Sequence, residues 1–197
     1  MSIEITVPDQ DELLLDGPVL STPVQVNRSQ WTGRRKVIGA PGREFWKGKV
    51  ALADIATEDD ERPWRAFLFA LDGPVNWFRW RLPRNYHIGP KPVVAAGASD
   101  GYTLPISGMQ PSITLLEAGQ YMTVPLPSGH SRAVCLTADL VTDVAGTATA
   151  QFKPALGEVP TLGVTVETAD PFIPMSLTGT DNGFSMQNGV SAQGFDV

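Results

Sequence analysis

The segment from Glu58 to Pro83 constrains the fold more than any other part of the chain. It opens on four consecutive acidic residues, and negative charge stabilises the N-terminus of a helix. Apolar residues then recur at the spacing of one helical face, at Trp64, Phe67, Leu68 and Leu71. We predict one short amphipathic helix, with Pro63 in its first turn and an end at Gly73 and Pro74.

The second part of that segment predicts a strand that packs against the helix. From Val75 to Leu82 the residues alternate in character, and alternate residues of a strand face opposite sides of a sheet. One face carries Phe78, Trp80 and Leu82, and the other carries Trp77, Arg79 and Arg81. Neither face offers a catalytic group, which favours a structural role for this segment.

Glycine and proline limit the amount of helix elsewhere. The chain of 197 residues contains 19 glycines and 17 prolines, as is ordinary for short strands joined by tight turns. From about residue 95 to residue 160, turns recur roughly every 8–12 residues, which indicates a small barrel or sandwich. We therefore predict a mainly β fold.

Two further stretches organise the chain. Residues 84–102 are rich in proline, glycine and alanine, and they are the best predicted domain boundary. Residues 30–43 are basic and rich in glycine, which predicts an exposed hairpin or loop whose charge discourages pairing with wrong strands. Val24 and Val26 predict a short strand just before it.

Residues suited to catalysis or metal binding do not occur in working combinations. His87 and His130 lack the additional ligands and the spacing of a zinc site. Cys135 is the single cysteine, so no internal disulfide can form, and a partly buried structural thiol is expected. The acidic residues 58–61 are better explained as a helix cap than as paired catalytic carboxylates. We expect no enzymatic activity, no cofactor and no metal.

Hydropathy gives no indication of a membrane segment. No apolar run approaches the roughly 18 residues of a membrane-spanning helix. The first residues lack the basic and apolar regions of a signal peptide. We expect a protein that is made in the cytoplasm and does not insert into a membrane.

The net charge of −6 is unevenly distributed along the chain. Residues 28–91 hold thirteen lysines and arginines against seven acids, whereas residues 92–197 hold two against nine. Regions of opposite charge on one protein favour head-to-tail contacts between copies. A basic region also suits nucleic acid, and two solvated faces would give the same distribution, so these interpretations stay open.

Two of the five tryptophans fall outside the predicted core. Trp31 lies beside Arg34 and Arg35, and Trp77 alternates with Arg79. Exposed aromatic residues beside arginine are enriched at protein interfaces, and they also stack on sugars and nucleic-acid bases.

Several phrases of the sequence resemble one family. The run PWRAFLFALDGPVNWFRWRLP resembles the helix-to-strand core of distal tail proteins of long-tailed bacteriophages and related gene transfer agents. LLEAGQYMTVP and RAVCLTADLVTDVAGTATAQFKPAL are similar to a barrel inserted in phage tail-tip proteins, with Gln120 where an aspartate is usual. PMSLTGTDNGFSMQNG resembles the closing strands of such proteins. The resemblance covers most of residues 45–190.

This resemblance implies a structural virion protein at the tail tip, or baseplate, of a siphophage-like particle. Such proteins form a hexameric ring that joins the tail tube to the baseplate hub, so the implied partners are further copies, the tube protein and the hub. The implied layout is a β-rich ring domain from residues 1–92 and 162–197. An OB-like barrel or sandwich is inserted at residues 93–161. Assembly would take place in the host cytoplasm.

The charge distribution and the exposed aromatics together predict a subunit interface. Its predicted members are Arg34, Arg35, Lys36, Lys47, Lys49, Trp77, Arg79 and Arg81. We expect the basic members to meet an acidic surface of a neighbouring copy or of a tube subunit.

Two other functions compete with the tail-tip interpretation. A carbohydrate-binding β-sandwich for receptor attachment would use Trp31 and Trp77 as stacking residues. An OB-like binder of single-stranded nucleic acid should have a basic barrel, yet residues 93–161 contain only Arg132 and Lys153 as bases. We therefore expect no nucleic-acid binding.

Overall fold

The computed structural model describes residues 2–9, 13–39, 43–52, 57–86, 89–179 and 194–196, with residues 13–16, 52 and 194–196 described by their backbone. The strands in chain order are β1 (Leu13–Ser21), β2 (Val24–Arg28), β3 (Arg35–Gly39), β4 (Phe45–Leu52), β5 (Phe78–Arg81), β6 (Val93–Val94), β7 (Thr103–Ser107), β8 (Thr114–Leu116), β9 (Tyr121–Pro125), β10 (Ser131–Leu136), β11 (Leu140–Val141), β12 (Ala148–Lys153), β13 (Phe172–Met175) and β14 (Gly194–Asp196). In this part of the chain the one helix is α1 (Glu58–Leu71). The predicted mainly β fold with one short helix is confirmed.

The chain divides into two compact units. We call the first the helical unit, and it comprises Met1–Val19, Trp46–Arg81 and Ile173–Val197. We call the second the barrel unit, and it comprises Leu20–Phe45 and Leu82–Phe172. The assignment of residues 1–92 and 162–197 to a ring domain, with an insertion at 93–161, stays a prediction.

Helix α1 begins at a reciprocal cap. The hydroxyl of Thr57 accepts a hydrogen bond from the Asp60 amide at 3.3 Å and donates to the Asp60 carboxylate at 2.6 Å. This arrangement satisfies one of the amides that a helix start leaves without an intrahelical acceptor. At the other end Asp72 adopts a left-handed conformation with φ 51°, and the Asn76 side chain donates to the Ala70 carbonyl at 2.8 Å. The strand that follows therefore begins at Phe78, three residues later than the alternation predicts.

The prediction that Pro63 lies in the first helical turn is wrong. The cap at Thr57 starts the helix at Glu58, so Pro63 lies in the second turn. There the proline has no N–H to donate to the carbonyl four residues earlier. The acidic run is also more than a cap, because Glu61 is buried and accepts a hydrogen bond from Nε of Arg65 at 3.1 Å.

The predicted apolar faces of the helical unit are confirmed. The four residues of the helical stripe are all buried, as are Phe78, Trp80 and Leu82. Phe67 holds the helix to the strand, because its ring meets that of Phe78 edge-on at 5.6 Å between centroids. Strand β5 pairs with β13, and a separate three-stranded sheet has the order β1-β4-β14.

The barrel unit is built on a five-stranded sheet with the order β6-β7-β12-β10-β9. The sheet curls into a half-barrel around a core that includes Leu104, Met122 and Phe152. Beside it, β8 and β11 form a two-stranded ladder.

Residues 163–167 cover both edges of the half-barrel. On the β6 side, the Val94 amide donates to the Val164 carbonyl at 2.9 Å, and the Val166 amide donates to the Pro92 carbonyl at 2.9 Å. On the β9 side, Glu167 and Thr123 exchange two backbone hydrogen bonds of 2.8 and 2.9 Å. Neither edge strand is left open for pairing with another chain.

Asn85 joins the segments that enter and leave the half-barrel. Its side-chain amide donates to the carbonyls of Tyr121 and Thr168 at 2.7 and 2.8 Å, and its backbone amide donates to Ala169 at 3.0 Å. One side chain thus ties the entering segment to the departing one and to strand β9.

Candidate subunit interface

Strands β2 and β3 form an antiparallel hairpin, residues 24–39, that we call the arm. All ten strand residues of the arm are exposed, on both faces. The register pairs Val26 with Val37, and Arg28 with Arg35. A two-stranded hairpin with no buried face is at best marginally stable in water. The arm therefore gains little from its own chain.

The turn of the arm is held by its own backbone. The Ser29 amide donates to the Arg34 carbonyl at 2.9 Å, and the Gly33 amide donates to the Ser29 carbonyl at 3.0 Å. Gly33 has φ +67°, a conformation that favours glycine. The segment GRRK is thus a turn followed by a strand, and the predicted exposed hairpin or loop at residues 30–43 is confirmed for the described residues.

One face of the arm is apolar at its base and cationic near its turn. Val24, Val26 and Val37 lie on this face, each about half exposed. Arg28 and Arg35 stand directly opposite each other on the same face, and like charges in that position destabilise a ladder. Neither arginine has an ion pair within the described residues. An apolar surface with an anionic end would complement this face.

The opposite face of the arm is more polar. It carries Gln25 and Asn27, whose side chains share a hydrogen bond of 3.3 Å, together with Lys36 and Ile38. Arg35 and Lys36, which the sequence analysis grouped together, therefore point to opposite sides of the arm.

Trp31 forms the tip of the arm and is 97% exposed. A large apolar ring that is left in water at the end of a projecting hairpin is typical of an anchor that is buried on binding. The prediction that Trp31 lies outside the core is confirmed.

Glu44, which follows the arm in the chain, is fixed to the half-barrel. The Glu44 side chain is buried and accepts a hydrogen bond from the Tyr102 hydroxyl at 2.9 Å. Arg132 donates to the Glu44 carbonyl and, through Nε, to the Ala155 carbonyl at 3.2 Å. Burial lowers the pKa of Arg132, and the charge of Glu44 opposes this shift. The Lys153 ammonium lies 3.8 Å from the centre of the Tyr102 ring.

The predicted interface residues fall into two groups. Arg34, Arg35 and Lys36 lie on the arm, in the barrel unit. The other five lie in the helical unit, where Trp77 is half-buried and the following are exposed: Lys47, Lys49, Arg79 and Arg81. Their role as a subunit interface stays a prediction for both groups.

Arg79 already has an acidic partner within the chain. Its Nε lies 2.6 Å from one carboxylate oxygen of Glu4, and a terminal nitrogen lies 3.0 Å from the other. The N-terminal segment is held there by its backbone as well, since the Ile5 amide donates to the Trp77 carbonyl at 2.8 Å. Arg79 would have to leave this pair, or share it, to bind another molecule.

Sequence reasoning missed Arg28 and the three valines as interface candidates. The signal was present, because a turn centred on residues 30–33 brings Arg28 opposite Arg35 and Val26 opposite Val37. Only the register reveals that Arg28 shares a face with the three valines.

The described residues were predicted to hold no metal site, and that expectation concerns the histidines, the cysteine and the acidic side chains. No group of three or more metal-binding side chains occurs there. Cys135 is half-buried as predicted, and burial raises the pKa of its thiol. His130 is exposed, and His87 lies outside the described residues. Within the same residues, no helix is long and apolar enough to cross a membrane.

No protein-family model matches the sequence, and no curated protein matches it either.

Proposed function

We propose that this chain is a structural virion protein of a phage tail tip. In this proposal it forms a ring, hexameric in the family that its sequence resembles, which joins the tail tube to the baseplate hub. It acts by binding other proteins rather than by catalysis. Its localisation is the tail tip of the virion.

The observation that carries the proposal is the arm. A hairpin that exposes both faces, three valines and a terminal tryptophan is suited to burial against another subunit. Full burial of an exposed valine side chain is worth about 1.5–3 kcal/mol, so burying the exposed half of the three valines would supply about 2–4 kcal/mol. A contact from an arm to a different surface is a head-to-tail contact, which closes into a ring when the rotation allows it.

Native mass spectrometry with negative-stain imaging tests the proposal, with the protein alone and with the tail tube protein. The decisive variant is Val26→Ser with Val37→Ser, and its matched control is Gln25→Ser with Asn27→Ser on the opposite face of the arm. We expect rings of about six copies for the wild type and the control, and loss of rings for the valine variant. A wild type that stays monomeric with the tube protein present contradicts the proposal.

The second candidate is carbohydrate binding for receptor attachment, and the exposure of Trp31 favours it. A sugar-stacking site needs an exposed aromatic ring beside hydrogen-bonding groups, and Ser29, Gln30 and Thr32 flank Trp31. A glycan screen with the wild type and with Trp31→Ala distinguishes the two functions. Tryptophan-dependent glycan binding by a monomer would favour this candidate over the ring.

A further inference from the structure

The barrel unit carries an exposed row of acidic and apolar residues around the two-residue strand β11. Asp139, Val141 and Asp143 are exposed, whereas Leu140 and Thr142 between them are buried, so the three share one outward face. Val141 is 56% exposed, and Val144 in the following turn is 89% exposed. Glu117 stands at the end of the neighbouring strand β8, where Leu116 pairs with Leu140. We call these five residues the acidic strip.

Local hydrogen bonds hold the strip in place. The Asp139 carboxylate accepts from the Ala118 amide at 2.8 Å. The Asp143 carboxylate accepts from the Ala145 and Thr147 amides at 2.8 and 2.9 Å and from the Thr147 hydroxyl at 2.6 Å. The bonds from Thr147 lower the pKa of Asp143, which keeps this carboxylate ionised. The carboxylates of Asp139 and Asp143 are therefore held in place by their own chain.

We infer that the arm of one copy docks on the acidic strip of a second copy, with its valine face on Val141 and with Arg28 and Arg35 on the aspartates. The inference rests on the proposed function, because it names the surface that receives the arm in a ring. It goes beyond that function because the contact joins two elements of the barrel unit.

The spacing of the two surfaces matches. On the arm, Arg28 follows Val26 by two residues on the same face, and on the strip Asp143 follows Val141 by two residues. Two residues along the arm span about 7 Å, and on the strip the same step runs from Val141, the last residue of β11, to the start of the turn that follows it. When valine packs on valine, an arginine consequently reaches an aspartate.

The strip also offers negative charge to the two arginines that face each other on the arm. Arg28 and Arg35 repel each other across the hairpin, and a carboxylate between or beside them removes that repulsion. Arginine forms strong charge-assisted hydrogen bonds with carboxylates.

The occupant is a second copy for two reasons. The arm is exposed in the single chain, so it does not cover the strip of its own copy. A row of valines beside the arginines suits a protein surface with apolar residues, whereas a nucleic acid backbone would leave the valines without a partner.

Disulfide trapping between two different copies tests the contact, in a background where Cys135→Ser removes the native thiol. Copies with Val26→Cys are mixed with copies with Val141→Cys under mild oxidation, so that only an intermolecular contact gives a mixed crosslink. The control pair uses Asn27→Cys, one residue along on the opposite face of the arm. We expect a crosslink yield at least several-fold higher for Val26 than for Asn27. Equal yields, or no mixed crosslink at millimolar concentration, overturn the inference.

A charge exchange provides an independent readout. Arg28→Glu with Arg35→Glu reverses the arm, and Glu117→Lys with Asp139→Lys reverses the strip. Sedimentation should show that each variant alone associates at least tenfold more weakly than the wild type and that an equimolar mixture recovers association. The variant Glu117→Lys alone serves if the double strip variant does not fold. A mixture that associates no better than its components overturns the inference.

These experiments separate the inference from the proposed function. Rings of the wild type without the Val26–Val141 crosslink leave the tail-tip proposal standing and remove the arm-to-strip contact. A specific crosslink in a protein that forms pairs but no rings supports the contact and contradicts the ring.

Discussion

The barrel unit contains two hairpins whose ladders have the same number of residue pairs but whose side chains differ in burial. Strands β2 and β3 form five residue pairs, as do strands β9 and β10. Every strand residue of the first hairpin is exposed, whereas the second buries Met122, Val124 and Val134 completely. Backbone pairing therefore does not decide which hairpin contributes to the stability of the monomer. Burial of one face decides it, and neither face of the arm is buried in the single chain.

The largest difference between the hairpins should appear on truncation of one side chain in each. Met122→Ala removes a fully buried side chain from the half-barrel and should lower the free energy of unfolding by about 2–5 kcal/mol. Val26→Ala removes exposed atoms from the arm and should change it by less than about 0.5 kcal/mol in the monomer. Denaturant unfolding at a concentration below assembly measures both. A comparable loss for Val26→Ala would mean that the arm already packs on its own chain.

Two glycines in different turns of the barrel unit sharpen the comparison. Gly146 and Gly33 both have positive φ, but a Cβ at Gly146 would lie 2.1 Å from the Met109 carbonyl oxygen, whereas a Cβ at Gly33 would meet nothing within 4 Å. Gly33→Ala should cost about 1 kcal/mol from backbone strain alone. Gly146→Ala should cost clearly more, because the Met109 segment must move as well.

Thermal unfolding of both variants decides the point. Equal shifts in melting temperature would show that the contact at Gly146 is relieved without cost, and the turn of the half-barrel would then be no more tightly built than the turn of the arm.

The sequence could predict what depends on near neighbours. The stripe of α1 and the two faces of β5 follow from side-chain periodicity, and both lie where the alternation indicates. Val24 and Val26 were likewise correctly predicted to begin a strand. Each of these features is fixed by residues within a few positions of each other.

Features that depend on distant residues, on hairpin register or on the exact cap residue were not predicted. Residues 163–167 cover two strands that are far apart in sequence, and nothing in their composition indicates that role. The valine face of the arm depends on register, which follows from the turn at residues 30–33 rather than from the strands. Pro63 was misplaced because the cap at Thr57, a residue before the acidic run, sets where the helix begins.

The next expected loss of unfolding free energy arises where Glu44 contacts the half-barrel. Tyr102→Phe removes the hydroxyl that donates to the buried carboxylate of Glu44 and leaves the ring in place for Lys153. The loss of one hydrogen bond to a buried charged group should cost about 1–2 kcal/mol. The variant Tyr86→Phe is the control, since its ring is largely exposed. If both variants unfold alike, Glu44 does not depend on Tyr102 and is held by Arg132.

The smallest expected effect is on the pH dependence of the free energy of unfolding. It involves a carboxylate of the half-barrel, and the arm has none. Burial acts to raise the pKa of Glu167, but hydrogen bonds from Lys91 and from the amides of Asp170 and Ala169 outweigh it, so the pKa lies below its usual value. A carboxylate whose pKa is depressed by folding stabilises the folded state above its unfolded pKa, near 4.3, and this contribution is lost as pH falls through the folded value.

The arm has no carboxylate between residues 24 and 39 and cannot contribute such a dependence. Unfolding measured from about pH 6 down to pH 3 should therefore show a shallower acid limb in Glu167→Gln than in the wild type. An unchanged slope in Glu167→Gln would mean that the Lys91 pair does not hold in solution, and the cover on the β9 edge would then rest on its backbone hydrogen bonds alone.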